Sequence, residues 1–197
     1  RPGETRKGLT LDLGKGVKMK LMLIPAGKFM MGSPAASMKY EWQKTREGPQ
    51  RQVTISKPFY MGIHEVTQAQ WYAVMGTKPW RGKVSSKSGD DNAASCISWG
   101  NASKFCEMLS KKIGKKVVLP TEAQWEYACR SGSKTAYCFG DDTSRLGEYA
   151  WYRLQWKKLY ETYQTYRRSS RAGLSLGGPS NWGLYDAHKV GQKRPNA

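Results

Sequence analysis

The chain has 197 residues and carries 33 Lys plus Arg against 15 Asp plus Glu, a net charge of +18. Hydrophobic residues make up 39% and charged residues 24%, which suits a globular protein of one domain with a sizeable core. No apolar run approaches the ~20 residues that span a bilayer as a helix, and the surplus of positive charge is compatible with an anionic partner or with a merely solvated basic surface.

Residues 1–16 read as a basic N-terminal arm, loose over the first ten. The stretch VKMKLMLI (17–24) then alternates Val17, Met19, Leu21 and Leu23 on one face, which predicts a strand. Pro25, Ala26 and Gly27 supply a turn, and KFMMGS (28–33) returns as a second strand. Residues 34–50 are polar, hold Pro34 and Pro49, and read as a loop. RQVTIS (51–56) places Val53 and Ile55 on one face of another strand, and KPFYMGIHEV (57–66) gives a further short extended segment.

Two helix starts follow one pattern. VTQAQW (66–71) and PTEAQW (120–125) both contain Thr-x-Ala-Gln-Trp. Thr67 and Thr121 are predicted N-caps, with Gln70 and Gln124 at the N3 position reaching back to close a capping box. Val66 and Pro120 are placed to staple onto Trp71 and Trp125. The first of these helices stops near Gly76. Between the two, a longer helix from Ser98 to Ile113 puts Trp99, Ala102, Phe105, Cys106, Leu109 and Ile113 on one face, leaves Lys104, Lys111 and Lys112 off it, and ends at Gly114. Trp71, Trp99 and Trp125 are therefore the predicted core anchors. Cys129, one turn after Trp125, is expected beside it as a small hydrophobe. On this reading Trp125→Ala costs roughly 3–5 kcal/mol. The sequences flanking the two starts do not repeat, so there is no internal repeat.

The four cysteines, Cys96, Cys106, Cys129 and Cys138, include no C-x-x-C pair, and only His64 and His188 could join them. That pattern argues against zinc and against a disulfide scaffold. One or two bridges stay open if the protein is exported. Further on, residues 148–173 (EYAWYRLQWKKLYETYQTYRRSSRAG) repeat aromatic residues at three- and four-residue steps, a helical stripe. Arg153, Trp156, Lys157, Lys158, Tyr160, Tyr163, Arg167 and Arg168 make it a candidate surface for an anion or a partner. The competing reading is an amphipathic helix that packs its aromatic side on its own domain and leaves a solvated basic face.

FMMGS, PFYMGIHEVTQAQWYAVMG, DNAASCISWGNASKFCEMLS, LPTEAQWEYACRSG and FGDD follow one another across residues 29–142. That ordered series resembles the sulfatase-modifying-factor family, the formylglycine-generating-enzyme domain, from about Val17 to Tyr152. The resemblance implies a loop-rich α+β domain, a variant of the C-type-lectin-like fold, here with a truncated or rearranged C-terminal part. It divides the chain into the arm (1–16), the family-like domain (17–152) and a divergent basic aromatic segment with the C-terminal tail (153–197).

Family enzymes are expected to oxidise a sulfatase cysteine to formylglycine with oxygen and a copper(I) ion held by two cysteines, soft thiolates that suit that ion. In the family those cysteines follow a GLYDMHGNVWEW-like and an RGGSW-like motif. Neither is complete here, and Cys138 is the last cysteine. The resemblance therefore assigns no catalytic residue and no metal ligand to this chain; copper and calcium are expected only with further C-terminal sequence. Asp141 and Asp142 read as a solvated acidic turn. Cys106 and Cys129 match positions that some members bridge to C-terminal cysteines. NWGLYDAHK (181–189) precedes VGQKRPNA (190–197), the reverse of the family order. A rearranged gene, a fragment and a split domain completed by another chain each account for that. The expected function is a non-catalytic binding or structural module in an assembly, with a protein partner or self-association through residues 148–197. The alternatives are a fragment of the copper-dependent oxidase and an anion-binding protein for nucleic acid or acidic glycan. The resemblance points toward an exported, periplasmic or extracellular, location.

Overall fold

A computed structural model describes residues 7–38, 40–83, 87–151 and 187–196. The first strand, β1 (Gly8–Asp12), lies within the stretch expected to be a loose arm. It pairs antiparallel with β2 (Lys18–Ile24), Leu9 opposite Leu21 and Leu11 opposite Met19. The arm reading was wrong from Gly8 onward because Leu9, Leu11 and Leu13 alternate and can be buried against the neighbouring strand. The β1–β2 connection is tight. Asp12 Oδ1 accepts the Gly14 amide at 2.8 Å, and Gly14, Lys15 and Gly16 all hold positive φ (87°, 54° and 79°). β5 (Phe59–Gly62) completes a sheet of order β1-β2-β5.

The second predicted strand exists as β3 (Gly27–Met31), but it does not return onto β2. It pairs with β4 (Arg51–Ile55), Phe29 opposite Val53, in a separate two-stranded sheet. Pro25 has no amide hydrogen to continue the ladder, and the chain leaves the first sheet there. Residues 34–50 are not a plain loop. They hold a 3₁₀ turn (Ala35–Ser37) and α1 (Glu41–Arg46). Gln43 at N3 accepts the Tyr40 amide at 3.0 Å, and Lys44 pairs with Glu41. The two prolines that suggested a loop only bracket these turns.

The remaining helices begin and end where local chemistry requires. In α2 (Gln68–Met75) and α4 (Glu122–Arg130) both capping boxes close. Thr67 Oγ1 accepts the Gln70 amide at 3.2 Å and Gln70 Oε1 accepts the Thr67 amide at 3.0 Å; the Thr121–Gln124 pair does the same at 3.2 and 2.9 Å. α3 (Trp99–Ile113) is capped by Ser98, and α5 (Leu146–Tyr149) is a single turn. Gly76 and Gly114 end α2 and α3 in the left-handed region.

The core forms where α2 meets α3. Trp71 stacks on Phe105 with centroids 5.3 Å apart and planes within 11°. Its indole N–H donates to Thr77 Oγ1 at 3.1 Å. Leu13, Met19, Trp80, Cys106 and Leu109 close around the pair. Trp80, 3% exposed, sits in a Pro- and Gly-flanked stretch that sequence periodicity does not mark.

Two of the three expected anchors are not in this core. Trp99 is 76% exposed and Trp125 56% exposed, against 3% for Trp71. Trp99 is the first residue of α3 and projects beyond the packed turns. Trp125 shares its motif with Trp71, but α4 packs its opposite side, against the β3–β4 sheet. There Tyr127 meets Phe29 at 5.3 Å. Glu126 Oε1 accepts the Gly32 amide at 2.9 Å, while Arg130 donates to Glu126 at 2.8 Å, to Gly32 O at 3.1 Å and to Thr135 O at 3.3 Å. Cys129 follows Trp125 onto the exposed side and is not beside the core. Among the described residues no helix is long and apolar enough to cross a membrane.

Trp71→Ala is expected to lower unfolding free energy by about 3–5 kcal/mol, and Trp125→Ala by well under half as much; equal losses in urea titrations would contradict this packing. Arg130→Ala strips Glu126 of its partner and should cost ~1.5–3 kcal/mol, the range for hydrogen bonds to charged groups. Arg130→Lys should recover only part of it, because an ammonium cannot reproduce the fork.

Candidate anion-binding cleft

Between the β1–β2 turn, α2, residues 76–81 and residues 88–90 lies a cleft of about 780 Å³. Leu13, Val17, Ala73 and Trp80 contribute apolar lining, and the cations on it are Lys15, Lys78, Arg81 and Lys112. The fold places each of them. Lys15 stands on the left-handed turn after β1. Lys112 comes from the last turn of α3, its ammonium 4.0 Å from where a Cβ on Gly14 would stand. Lys78 lies over the half-exposed Tyr72 ring, 4.6 Å from its centroid. Arg81 closes a turn in which its amide donates to Lys78 O at 3.0 Å.

Among the described residues Asp90 is the single acid in the lining. None of the four cations has an ion pair among the described residues. The wall that carries Ser88, Gly89 and Asp90 is braced. The buried Gln68 amide donates to Lys87 O at 2.7 Å and accepts the Gly89 amide at 3.0 Å. Asn92, also buried, donates to Lys87 O at 3.2 Å. Like charges brought to one cleft repel one another, so a bound anion would relieve repulsion as well as gain attraction.

Arg153, Trp156, Lys157, Lys158, Tyr160, Tyr163, Arg167 and Arg168, with the helical stripe they define, lie outside the described residues. The cleft cations escaped sequence reasoning because each alone looks like an ordinary solvated side chain. Lys112 was placed only as off the apolar face of its helix. Asp141 and Asp142 do serve as turn groups. Asp141 Oδ1 accepts the Ala136 amide at 2.8 Å, and Asp142 Oδ1 accepts the Ser144 amide at 2.9 Å. The Ser144 hydroxyl, followed by its amide, holds the Asp142 carboxyl below its usual range. Among the described residues no group of three or more His, Cys, Asp or Glu is arranged to hold a metal ion.

The C-terminal residues 187–196 are stitched to the domain. Lys189 bridges Asn92, the Ala93 amide donates to His188 O at 3.0 Å and the Val190 amide to Asp91 O at 3.0 Å. Trp151 stacks on His188 with centroids 4.0 Å apart, and the Lys193 ammonium lies 3.8 Å from the same indole. Arg194 pairs with Glu148 at 3.2 Å, and Asn196 donates to Ala128 O at 2.7 Å. Trp151 and His188, the two ends of the intervening segment, therefore meet at one point on the domain.

Comparison with known proteins agrees with this architecture. PvdO from Pseudomonas aeruginosa superimposes with a TM-score of 0.65 at 24% identity, covering 99% of this chain and 70% of that one. Treponema denticola variable protein 1 gives 0.64 at 22%, covering 98% and 71%. Among curated relatives, the formylglycine-generating enzyme of Bos taurus is 25% identical over 85% of this chain and 54% of its own length. The inactive C-alpha-formylglycine-generating enzyme 2 of Bos taurus is 24% identical over 64% and 54%. The chaperone protein LppX of Paenibacillus barcinonensis is 29% identical over 52% of this chain and 46% of its own length. The chain spans about half the length of these curated relatives. The family model for the sulfatase-modifying factor enzyme 1-like domain matches residues 14–188, past the Tyr152 limit read from the motifs, and the chain belongs to that family.

Proposed function

We propose that this domain is a binding module that takes an anionic ligand in the cleft, and that the described residues do not themselves carry thiol oxidation. The observation that supports the reading is the set of four cations on one cleft, without ion pairs among the described residues. One relative being named an inactive enzyme is consistent with the fold serving without catalysis.

Two of the described thiols are shifted away from the reactive thiolate form. Burial pushes the Cys106 thiol up from its ordinary value. Cys129 is exposed as a residue, yet its sulfur is crowded; burial and then the neighbouring Cys138 push its thiol up as well.

Retention on a heparin matrix should fall steeply with salt. Lys15→Glu, Lys78→Glu, Arg81→Glu and Lys112→Glu combined should weaken it at least tenfold more than the same reversal at Lys28, Lys57, Lys115 and Lys134, which are also exposed. Equal losses would reduce the effect to net charge and defeat the proposal.

Thiol alkylation offers a second check. At neutral pH the exposed Cys96 should react well before Cys106. The Cys106 and Cys129 rates should climb only above the pH at which a free thiol ionises. The unfolded thiols ionise first, so folding loses stability as pH rises from the ordinary thiol value through the raised one. Rapid Cys106 labelling at neutral pH in the folded protein would contradict this.

A further inference from the structure

The cleft cations form two groups drawn from different elements. Lys15 follows Gly14 in the β1–β2 turn, and the Lys112 ammonium lies 4.0 Å from where a Cβ on Gly14 would stand. Lys78 and Arg81 are three residues apart in the turn after α2, joined by the hydrogen bond from the Arg81 amide to Lys78 O. A ligand with a single anionic group would satisfy one pair and leave the other as repulsive as before.

The rest of the lining is not that of a polyanion track. Asp90 would repel a continuous run of charge, yet its carboxylate accepts hydrogen bonds from hydroxyls, and Ser88 beside it both donates and accepts. The half-exposed Tyr72 ring, with the Lys78 ammonium over it, adds an aromatic surface to the lining. A volume of about 780 Å³ falls in the range of small-molecule sites, roughly 300–1,000 Å³. The backbone that frames it is fixed. The Ala69 amide donates to Asp90 O at 3.1 Å and the Gln68 amide to Asn92 O at 2.8 Å, tying the wall to the start of α2.

We infer that the cleft receives a sugar-sized, hydroxyl-bearing molecule with two separated oxyanion esters, one held by Lys15 and Lys112 and the other by Lys78 and Arg81. This rests on the anion-binding reading of the same cleft. Phosphate and sulfate esters share the recognised chemistry.

Isothermal titration of the full chain with fructose 1,6-bisphosphate, fructose 6-phosphate and a disulfated heparin disaccharide tests it and separates the two ester sources. The bisphosphate or the disulfate should bind at least tenfold tighter than the monophosphate. The double variants Lys15→Ala with Lys112→Ala, and Lys78→Ala with Arg81→Ala, should each bring the doubly charged ligand down to the monophosphate level. All four side chains are exposed, so circular dichroism and melting should show both variants folded. Equal affinity for mono- and doubly charged ligands, or indifference to either variant, overturns the inference. If heparin retention still depends on the cleft in that case, the broader reading survives alone. If no anion binds at all, both fall.

Discussion

The described fold has two sheets that share no strand, and the contact between Glu126, Arg130 and the backbone of Gly32 holds the smaller one in place. Side chains only 19% and 22% exposed carry this pair. Burying opposite charges is worthwhile only when their remaining hydrogen-bonding capacity is met. Here the Gly32 amide and carbonyl meet part of it, and Thr135 O takes another guanidinium N–H. Gly32 can serve because its φ is +93° and because a Cβ there would lie 2.4 Å from Glu47 O. From that point a line of contacts runs through α4 to Asn196, along the tail to Asp91 and Ala93, and through Gln68 to the Trp71–Phe105 core.

The two Thr-x-Ala-Gln-Trp starts show which part of a fold a sequence reveals. A capping box joins atoms three residues apart, so its chemistry is complete within the motif, and both boxes close as read. Which side of the helix meets the core depends on partners far away in sequence. In α2 the partner is Phe105, and the tryptophan goes inward. In α4 the partners are Phe29 and Gly32, and the inward residues are Glu126, Tyr127 and Arg130. A charged pair reads as a solvated face by default, so Trp125 looked like the anchor. β1 escaped for a related reason. Its alternation of Leu9, Leu11 and Leu13 is short and lies beside lysines and glycines that suggest a loose arm.

Family membership was legible because five motifs occur in order, a long-range signal that local periodicity lacks. The cleft was not legible. Its cations at 15, 78, 81 and 112 converge only after the β1–β2 turn, the turn after α2 and the end of α3 are all in place. The basic aromatic segment read from sequence drew attention because its charges are contiguous. Contiguity is a property of the chain, whereas a binding site is a property of the fold.

The cleft and the C-terminal tail share one structural element, residues 87–93. One side of that segment contributes Ser88, Gly89 and Asp90 to the cleft. Asp91, Asn92 and Ala93 receive the tail through the Lys189 bridge and the hydrogen bonds of His188 and Val190. Gln68 and Asn92 fix Lys87 and Gly89 between the two. The tail follows directly on the point where Trp151 and His188 stack. The motif VGQKRPNA, out of order as a sequence, thus joins through Val190 the same segment that forms one wall of the cleft.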